Sequence, residues 1–397
     1  MDEAPLAKTG VAEVKILFCA KHVVGRGGQE GFLRRLGAFL ISKGHDVEVL
    51  ASAADPIPGA THASVSVPRW VGRSAWDWAA ARAVAAASEQ REYDVSFGGQ
   101  KMWGCNVLRP GGGVEAEYWS VRLADRYAWP PLRALARTAS VKRCFDLDAE
   151  SRGYSAPALR YVIANSELVR HSIAQRYPAI ADKVEVIQNG ADLERFSALA
   201  NQETRTATHN ELGLDPARRT AVFSGPSFRR KGPPRALTAL ELTRHSAESA
   251  GWQLSVLGGG KRGRAQRLVQ QLGLSDAVRF VGNTSEPERY YAASDVLLYP
   301  SFYDPCANVT FEALASGIPV ITTRRNGASE VITDGQQGWT VSHPDQVEAM
   351  ARHLAALTDE ARLADMKAAA RALAEDHPMS GKLADIEAVL KEASRQA

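Results

Sequence analysis

Hydrophobic and polar positions follow two periods along this chain. Short runs rich in branched aliphatic residues predict buried strands, and stretches with apolar residues three or four positions apart predict helices. In the first half, the predicted strands are Lys15–Ala20, Asp46–Ser52, Tyr161–Ala164 and Val184–Gln188. Between the first two strands, Gln29–Lys43 has helical spacing, and Gly44 follows where a helix C-terminus favours glycine. Ser166 is a predicted N-cap for a helix that begins after Ala164.

The same alternation restarts after Asn189. The predicted strands of the second half are Ala221–Ser224, Gln253–Leu257, Val278–Val281, Val296–Tyr299 and Pro319–Thr322. The polar stretch Ala200–Asn210 before them is predicted to be a surface segment. Alternating strands and helices are typical of parallel α/β sheets, and two facing doubly wound domains would leave a ligand cleft between their strand ends. We predict domains at 1–192 and 193–378, and a helix at 379–397 that crosses back to the first domain.

Composition sets outer limits on these predictions. The 397 residues suit two domains, and 45% hydrophobic with 23% charged residues indicates globular structure. A net charge of +3 does not indicate a nucleic-acid-binding protein. Cys19, Cys105, Cys144 and Cys306 show no metal-ligand spacing and predict reduced thiols. With no signal-peptide core and no membrane-spanning run, we expect a cytoplasmic protein that at most lies on a membrane surface.

The densest chemical signal lies between Tyr299 and Gly317. A predicted strand ends at Tyr299, and a loop leads into a predicted helix from about Cys306 to Ser316. Backbone N–H groups at the start of that helix, contributed by Ala307, Asn308 and Val309, would form a site for a diphosphate. Asp304 and Glu312 could both face the same ligand, since carboxylates accept hydrogen bonds from paired sugar hydroxyls. The alternative is a buried helix with two solvated carboxylates.

A basic turn follows the first predicted strand of the second half. Gly225 opens this turn, which carries three consecutive cations, Arg229, Arg230 and Lys231. Fixed cations would stabilise the charge that develops on a diphosphate leaving group. For Arg229 in particular, a solvated position in a basic turn is an equally good interpretation.

The segment Glu312–Ile321 resembles the hallmark of glycosyltransferase family 4, in which a second acidic residue follows the first after seven others. The resemblance extends from Lys15 to about Val341. It implies the GT-B fold of two facing Rossmann-like domains and sugar transfer with retention of configuration, with no cofactor and no obligatory metal ion. It also implies that Glu312 binds the ribose of a nucleotide sugar and Asp304 binds the donor sugar. Arg230 and Lys231 complete the catalytic set that we predict.

The resemblance implies further donor-binding residues at the ends of strands. Gly27 and Gly28 match the glycine loop that closes over the donor phosphates. Gly258 and Gly259 would allow the ligand to approach the backbone, and Val281 lies in the segment that holds the base. The sequence departs from the family at two positions. Asp304 replaces the usual Glu, and Pro226 replaces the usual Arg, so that Arg229 or Arg230 would supply the guanidinium.

The segment 117–152 is relevant to the kind of acceptor that the protein uses. It interleaves cations such as Arg122 and Lys142 with aromatic residues such as Trp119 and Phe145. Such a segment could dock on an anionic membrane surface, or its apolar residues could simply join the domain core. Residues 97–192 resemble the lipopolysaccharide-core glucosyltransferase branch of the family. That likeness implies a UDP-sugar donor and a glycan or lipid-linked acceptor in cell-envelope synthesis.

Other classes of protein remain as alternatives. A non-catalytic sugar-nucleotide-binding protein could keep the same fold, although Asp304, Glu312 and Lys231 would then be unexplained. A nucleotide-sugar epimerase would require further acid–base residues, and a phosphorylase a much longer chain. An NAD-dependent oxidoreductase is disfavoured because Glu30 stands at the third glycine position of the dinucleotide fingerprint.

Overall fold

The structure is a computed structural model of the chain. It describes residues 14–24, 28–68, 72–99, 101–126, 131, 140–199, 201–226, 230–244, 251–259 and 262–396. Gly27 and Arg229, both predicted to bind the donor, lie outside these ranges.

The first half is built on a seven-stranded parallel sheet with the order β3-β2-β1-β4-β5-β6-β7. Its strands are β1 (Lys15–Cys19), β2 (Asp46–Ala51), β3 (Thr61–Ser64), β4 (Val95–Gly98), β5 (Val107–Leu108), β6 (Tyr161–Ala164) and β7 (Val184–Val186). Its helices are α1 (Gly28–Ser42), α2 (Arg73–Ser88), α3 (Glu115–Arg126), α4 (Val141–Tyr154) and α5 (Glu167–Arg176), with a 3-10 helix at Pro178–Lys183.

Both faces of this sheet are buried, which explains the continuous apolar runs of its strands. Successive side chains of β1 alternate between the faces: Ile16 and Phe18 pack in one core, and Leu17 and Cys19 in the other. Helix α1 covers the first core, and α2 and α5 cover the second. The sheet therefore holds the carboxyl ends of its strands in fixed positions.

The second half is built on a six-stranded parallel sheet with the order β10-β9-β8-β11-β12-β13. Its strands are β8 (Arg219–Ser224), β9 (Trp252–Leu257), β10 (Val278–Gly282), β11 (Val296–Tyr299), β12 (Val320–Thr323) and β13 (Gly338–Val341). Its helices are α6 (Leu193–Ala198), α7 (Gln202–Leu212), α8 (Pro233–Thr243), α9 (Gly263–Gln271), α10 (Pro287–Ala292), α11 (Asn308–Ala315), α12 (Val347–Ala356) and α13 (Glu360–Glu375), with a 3-10 helix at Gly327–Val331.

The last helix, α14 (Met379–Arg395), packs on the first sheet. Its apolar stripe enters the core that α1 covers, and His45 Nε2 lies 3.1 Å from Glu387 Oε1 beside it. The residues of the stripe are Leu383, Ile386, Val389, Leu390 and Ala393. The chain therefore returns from the second half to complete the core of the first.

Most described residues of the predicted surface segment Ala200–Asn210 are exposed, as expected, but the stretch is helical. Helix α7 occupies this stretch, with Asn201 as its N-cap, and Thr208 and His209 are buried. His209 Nε2 lies 2.8 Å from the carbonyl oxygen of Ala293. Polar side chains here make buried hydrogen bonds, so the sequence lacks the apolar periodicity that identifies most helices.

Candidate active site

A cavity of ≈ 340 Å³ lies between the two halves. Its lining comes from segments that follow strands in both sheets: Gly28 after β1, Gly111 after β5, Gly225 after β8 and Asp304 after β11. Facing α/β sheets bind ligands at such carboxyl ends, because the connecting loops converge there.

Two helix N-termini meet at this cavity. Helix α1 begins at Gly28 and α11 begins at Asn308, and a Cβ on Gly28 would lie 3.7 Å from Asn308 Nδ2. The first N–H groups of a helix have no acceptor within it, and the helix dipole adds positive potential. Each half thus presents an anion-binding end to the same space.

Asn326 holds the loop before α11. Its Oδ1 accepts hydrogen bonds from the N–H groups of Ala307 and Ala328, both at 3.1 Å. Its Nδ2 donates to Thr310 Oγ1 at 3.0 Å. The prediction that Ala307 offers a free N–H group is therefore wrong, and the half-buried residues Asn308 and Val309 form the start of the helix at the cavity. The helix is also shorter than predicted.

Lys231 and Asp304 form an ion pair in the wall of the cavity, both largely buried. The hydroxyl of Tyr299 donates to Asp304 Oδ2 at 2.7 Å, and Lys231 Nζ lies 5.2 Å from the centre of the Tyr299 ring. Burial and the neighbouring Arg230 lower the pKa of Lys231, whereas contact with the carboxylate favours its charged form. The pair joins the basic turn to the acidic motif.

Arg230 also lines the cavity, and its Nη1 donates to the carbonyl oxygen of Tyr303 at 3.3 Å. The backbone of Arg230 accepts from the N–H of Phe302 at 2.8 Å. The two loops after β8 and β11 are thereby tied together. The side chain brings a guanidinium to the same wall as Lys231.

Glu312 lies farther along α11 and does not line this cavity. Tyr291 donates to its Oε2 at 3.0 Å. Burial raises the pKa of Glu312, while the Tyr291 hydrogen bond and the charges of Arg195 and Arg35 act in the opposite direction. The two carboxylates of the motif therefore occupy different surroundings, with Asp304 in the wall and Glu312 beyond it.

Three other predicted donor-binding residues do not line the cavity either. Gly258 has φ +118, and a Cβ there would lie 2.2 Å from the carbonyl oxygen of Gly225. A Cβ on Gly259 would lie 2.5 Å from the side chain of Asn283, and Val281 packs beside the core of the second half. Gly258 thus lets the β8 and β9 ends pack closely, which places Gly225 at the cavity.

Sequence reasoning assigned no ligand-binding role to Arg109 or Asn189. Both line the cavity, and Arg109 Nη2 donates to Asn189 Oδ1 at 2.6 Å. Asn189 Nδ2 in turn donates to the carbonyl oxygen of Cys306 at 2.8 Å and to Asn308 Oδ1 at 2.6 Å. Neither residue stands in a recognisable motif. Asn189 directly follows the predicted strand Val184–Gln188, whereas Arg109 follows β5, a strand that the sequence analysis did not predict.

Glu330 caps a helix of the opposite half. Its two carboxylate oxygens accept from the N–H groups of Glu167 and Leu168, at 2.9 and 2.7 Å, at the start of α5. Beside them, Ser166 Oγ donates to the carbonyl oxygen of Pro305 at 2.6 Å and also caps α5. The loop that carries Asp304 is therefore fastened to the first half.

These features define an α/β protein of the GT-B architecture, with two Rossmann-like sheets and an anion-binding cleft between them. WaaG, a glycosyltransferase involved in lipopolysaccharide biosynthesis, has this fold: the match has a TM-score of 0.79 at 20% identity and covers 94% of this chain and 99% of WaaG. Anabaena Alr3699/HepE, solved in complex with UDP-glucose, matches with a TM-score of 0.68 at 16% identity over 96% and 100% of the two chains. At these identities the likeness establishes the fold alone.

Residues 204–373 match the family model of glycosyl transferases group 1. The matched residues make up most of the second half of the chain, which is therefore similar to this family. Similar curated proteins include the D-inositol 3-phosphate glycosyltransferases of Pseudarthrobacter chlorophenolicus, 27% identical, and of Streptomyces scabiei, 31% identical. Each alignment covers 66% of this chain, and they cover 66% and 64% of the two relatives, slightly less than two thirds of each.

Proposed function

We propose that this protein is a retaining glycosyltransferase that moves a hexose from a nucleotide sugar to an acceptor hydroxyl. The observation that carries the proposal is the convergence of two helix N-termini with Arg230 and Lys231 on one cavity. Helix ends and fixed cations bind the diphosphate of a sugar nucleotide. The match of residues 204–373 to the family model of glycosyl transferases group 1 supports the same chemistry.

In the proposed reaction, the bond between the sugar C1 and the diphosphate oxygen breaks, and a bond from C1 to the acceptor oxygen forms on the same face. The acceptor proton passes to the departing phosphate, so no protein side chain has to act as the base. Arg230 and Lys231 stabilise the leaving charge, and Asp304 orients the sugar hydroxyls. Glu312 binds the ribose, which places the nucleoside beyond the cavity wall.

For the donor we propose a UDP-sugar, supported by the UDP-glucose complex of HepE, which shares the fold. For the acceptor we propose a glycan or lipid-linked molecule of the cell envelope, supported by the lipopolysaccharide role described for WaaG. The D-inositol 3-phosphate in the relatives' name is a smaller, soluble alternative. All four cysteines are free thiols, as a cytoplasmic setting requires. Over the described residues, no helix is both long and apolar enough to span a membrane.

In segment 117–152, fewer aromatic and apolar residues are available for contact with a membrane surface than the composition suggests. Trp119 and Leu123 are buried, and Trp119 Nε1 donates to Asp146 Oδ2 at 3.2 Å. Exposed Arg122 stacks 4.7 Å from the Trp119 ring. The aromatic residues between 127 and 139 lie outside the described residues. Binding to anionic vesicles at low salt tests this part of the proposal, and absence of binding would exclude it.

The test of the proposed activity combines a ligand panel with one variant. UDP-, GDP- and ADP-sugars are compared by thermal shift, since a ligand of the folded state raises the melting temperature. With the donor that binds, Glu312→Ala should weaken nucleotide affinity and reduce transfer by at least about a hundredfold while the fold stays intact. Glu348→Ala, on the exposed face of α12, serves as the control. Full activity of Glu312→Ala would overturn the site assignment.

A further inference from the structure

Arg109 is a buried cation with no assigned role. It follows β5, lines the cavity and is 6% exposed. Among the described residues, no carboxylate pairs with it, and its Nε has no hydrogen-bond partner. Buried arginines are normally paired with an acid, because an uncompensated buried charge is costly. The protein therefore maintains a charge here for which the described part of the chain supplies no counter-ion.

The contacts that Arg109 does make hold its position without neutralising it. The guanidinium lies 3.9 Å from the centre of the Phe32 ring, and Nη2 donates to Asn189. Burial lowers the pKa of Arg109 to about 10, so the side chain remains charged at neutral pH. Stacking and a single neutral acceptor fix a guanidinium while leaving its charge available to a ligand.

Asn189 places this guanidinium beside the anion-binding end of α11. The side-chain amide of Asn189 accepts from Arg109 and also donates to Oδ1 of Asn308, which is the first residue of that helix. Only the side chain of Asn189 thus separates Arg109, which belongs to the first half, from the start of α11. Any anion bound at the start of α11 would lie within reach of this charge.

Charge balance in the cavity favours such a role. On the second half, Asp304 pairs with Lys231, and Arg230 is a further cation of that wall. Arg35 and Lys382 also line the cavity. A nucleotide diphosphate is a multiply charged anion, and its charge grows when it leaves the sugar. A further guanidinium from the opposite wall would help to match that charge.

We propose that Arg109 binds the diphosphate of the nucleotide donor from the first half, opposite Arg230. The site then requires one arginine from each half, so that the leaving group is enclosed only when both halves surround it. This inference rests on the proposed function and adds a residue to its donor site.

The test is calorimetric titration of the intact protein with UDP, uridine and inorganic pyrophosphate. We expect Arg109→Gln to weaken UDP and pyrophosphate binding by at least about tenfold and to leave uridine binding unchanged. Arg109→Lys should give an intermediate loss, because lysine keeps the charge without the planar fork. Arg352→Gln, on the exposed face of α12, should bind all three ligands like the parent.

The outcomes separate the two proposals. If the parent protein binds no nucleoside diphosphate, whether UDP, GDP or ADP, the proposed function fails. If the parent binds UDP and Arg109→Gln binds it within twofold at an unchanged melting temperature, the role of Arg109 is overturned, even if transfer falls. A loss of uridine binding equal to that of UDP would also overturn it, because it would indicate a structural role. Should Arg109→Gln fail to fold, the ratio of UDP to uridine affinity in Arg109→Lys decides.

Discussion

At the scale of single residues, buried charges fall into two groups. Lys231 and Asp304 compensate each other within the cavity wall, whereas Arg109 has only Asn189 and an aromatic ring. Family resemblance singled out Lys231 and Asp304 as site residues, because it fixes their positions along the chain, but it did not indicate that they pair. It could not predict Arg109, whose surroundings arise from segments about 80 residues apart, as its hydrogen bond to Asn189 shows.

The buried carboxyl group of Glu150 leads to a prediction about how the stability of the protein depends on pH. Burial raises its pKa to about 7 from 4.5, although it accepts hydrogen bonds from the N–H of Glu115 at 2.6 Å and from Tyr177 OH at 2.9 Å. The folded protein therefore holds this proton more tightly than the unfolded chain. Its contribution to stability is full below about pH 4.5 and is lost as the pH rises towards about 7.

We expect Glu150→Gln to remove this dependence. Between pH 5 and pH 8, the free energy of unfolding of the parent should fall relative to the variant by about 2 kcal/mol. Urea denaturation followed by tryptophan fluorescence at several pH values measures the difference. Glu89→Gln, at an exposed position, is the control. Parallel pH curves for parent and Glu150→Gln would contradict the assignment.

At the scale of elements, most strands and helices follow from hydrophobic period. The strands Tyr161–Ala164 and Val296–Tyr299 have the predicted bounds, and Ser166 caps α5 as predicted. Helix α7 was missed because its buried side chains are polar. Glu330 caps a helix of the other half, a contact that hydrophobic period does not indicate. Contacts between distant segments leave no local signal in a sequence.

The capping of α5 by Glu330 leads to a prediction at this scale. Glu330→Ala removes the acceptor of two helix N–H groups, so the free energy of unfolding should fall by about 1 kcal/mol. Hydrogen exchange at the amides of residues 167 and 168 should become faster. Glu185→Ala, exposed on β7, should change neither quantity. Unchanged exchange at both amides in Glu330→Ala would show that the cap does not hold the helix start.

At the scale of the whole molecule, α14 links the halves through the core of the first sheet. Leu390 is 1% exposed in that core. We expect Leu390→Ala to destabilise the protein by about 2–4 kcal/mol through lost burial and a cavity. Hydrogen exchange should increase in β1 and β4 and remain unchanged in β8 and β11.

The neighbouring exposed residue provides a control for that prediction, since Glu392→Ala should leave exchange in both sheets as it was. If Leu390→Ala increased exchange equally in the two sheets, the halves would unfold as one cooperative unit. In that case α14 would not act on the first sheet in particular.

The return of α14 to the first sheet also bears on the order in which the protein can fold during synthesis. Leu383 is translated about 200 residues after Ile187, which corresponds to roughly 10–40 s on the ribosome. Throughout that interval the apolar face of the first sheet has no α14 to cover it. The second sheet, by contrast, has all its strands and covering helices before α14 emerges. The half that is synthesised first is thus the half that completes its core last, and a nascent chain would need protection there.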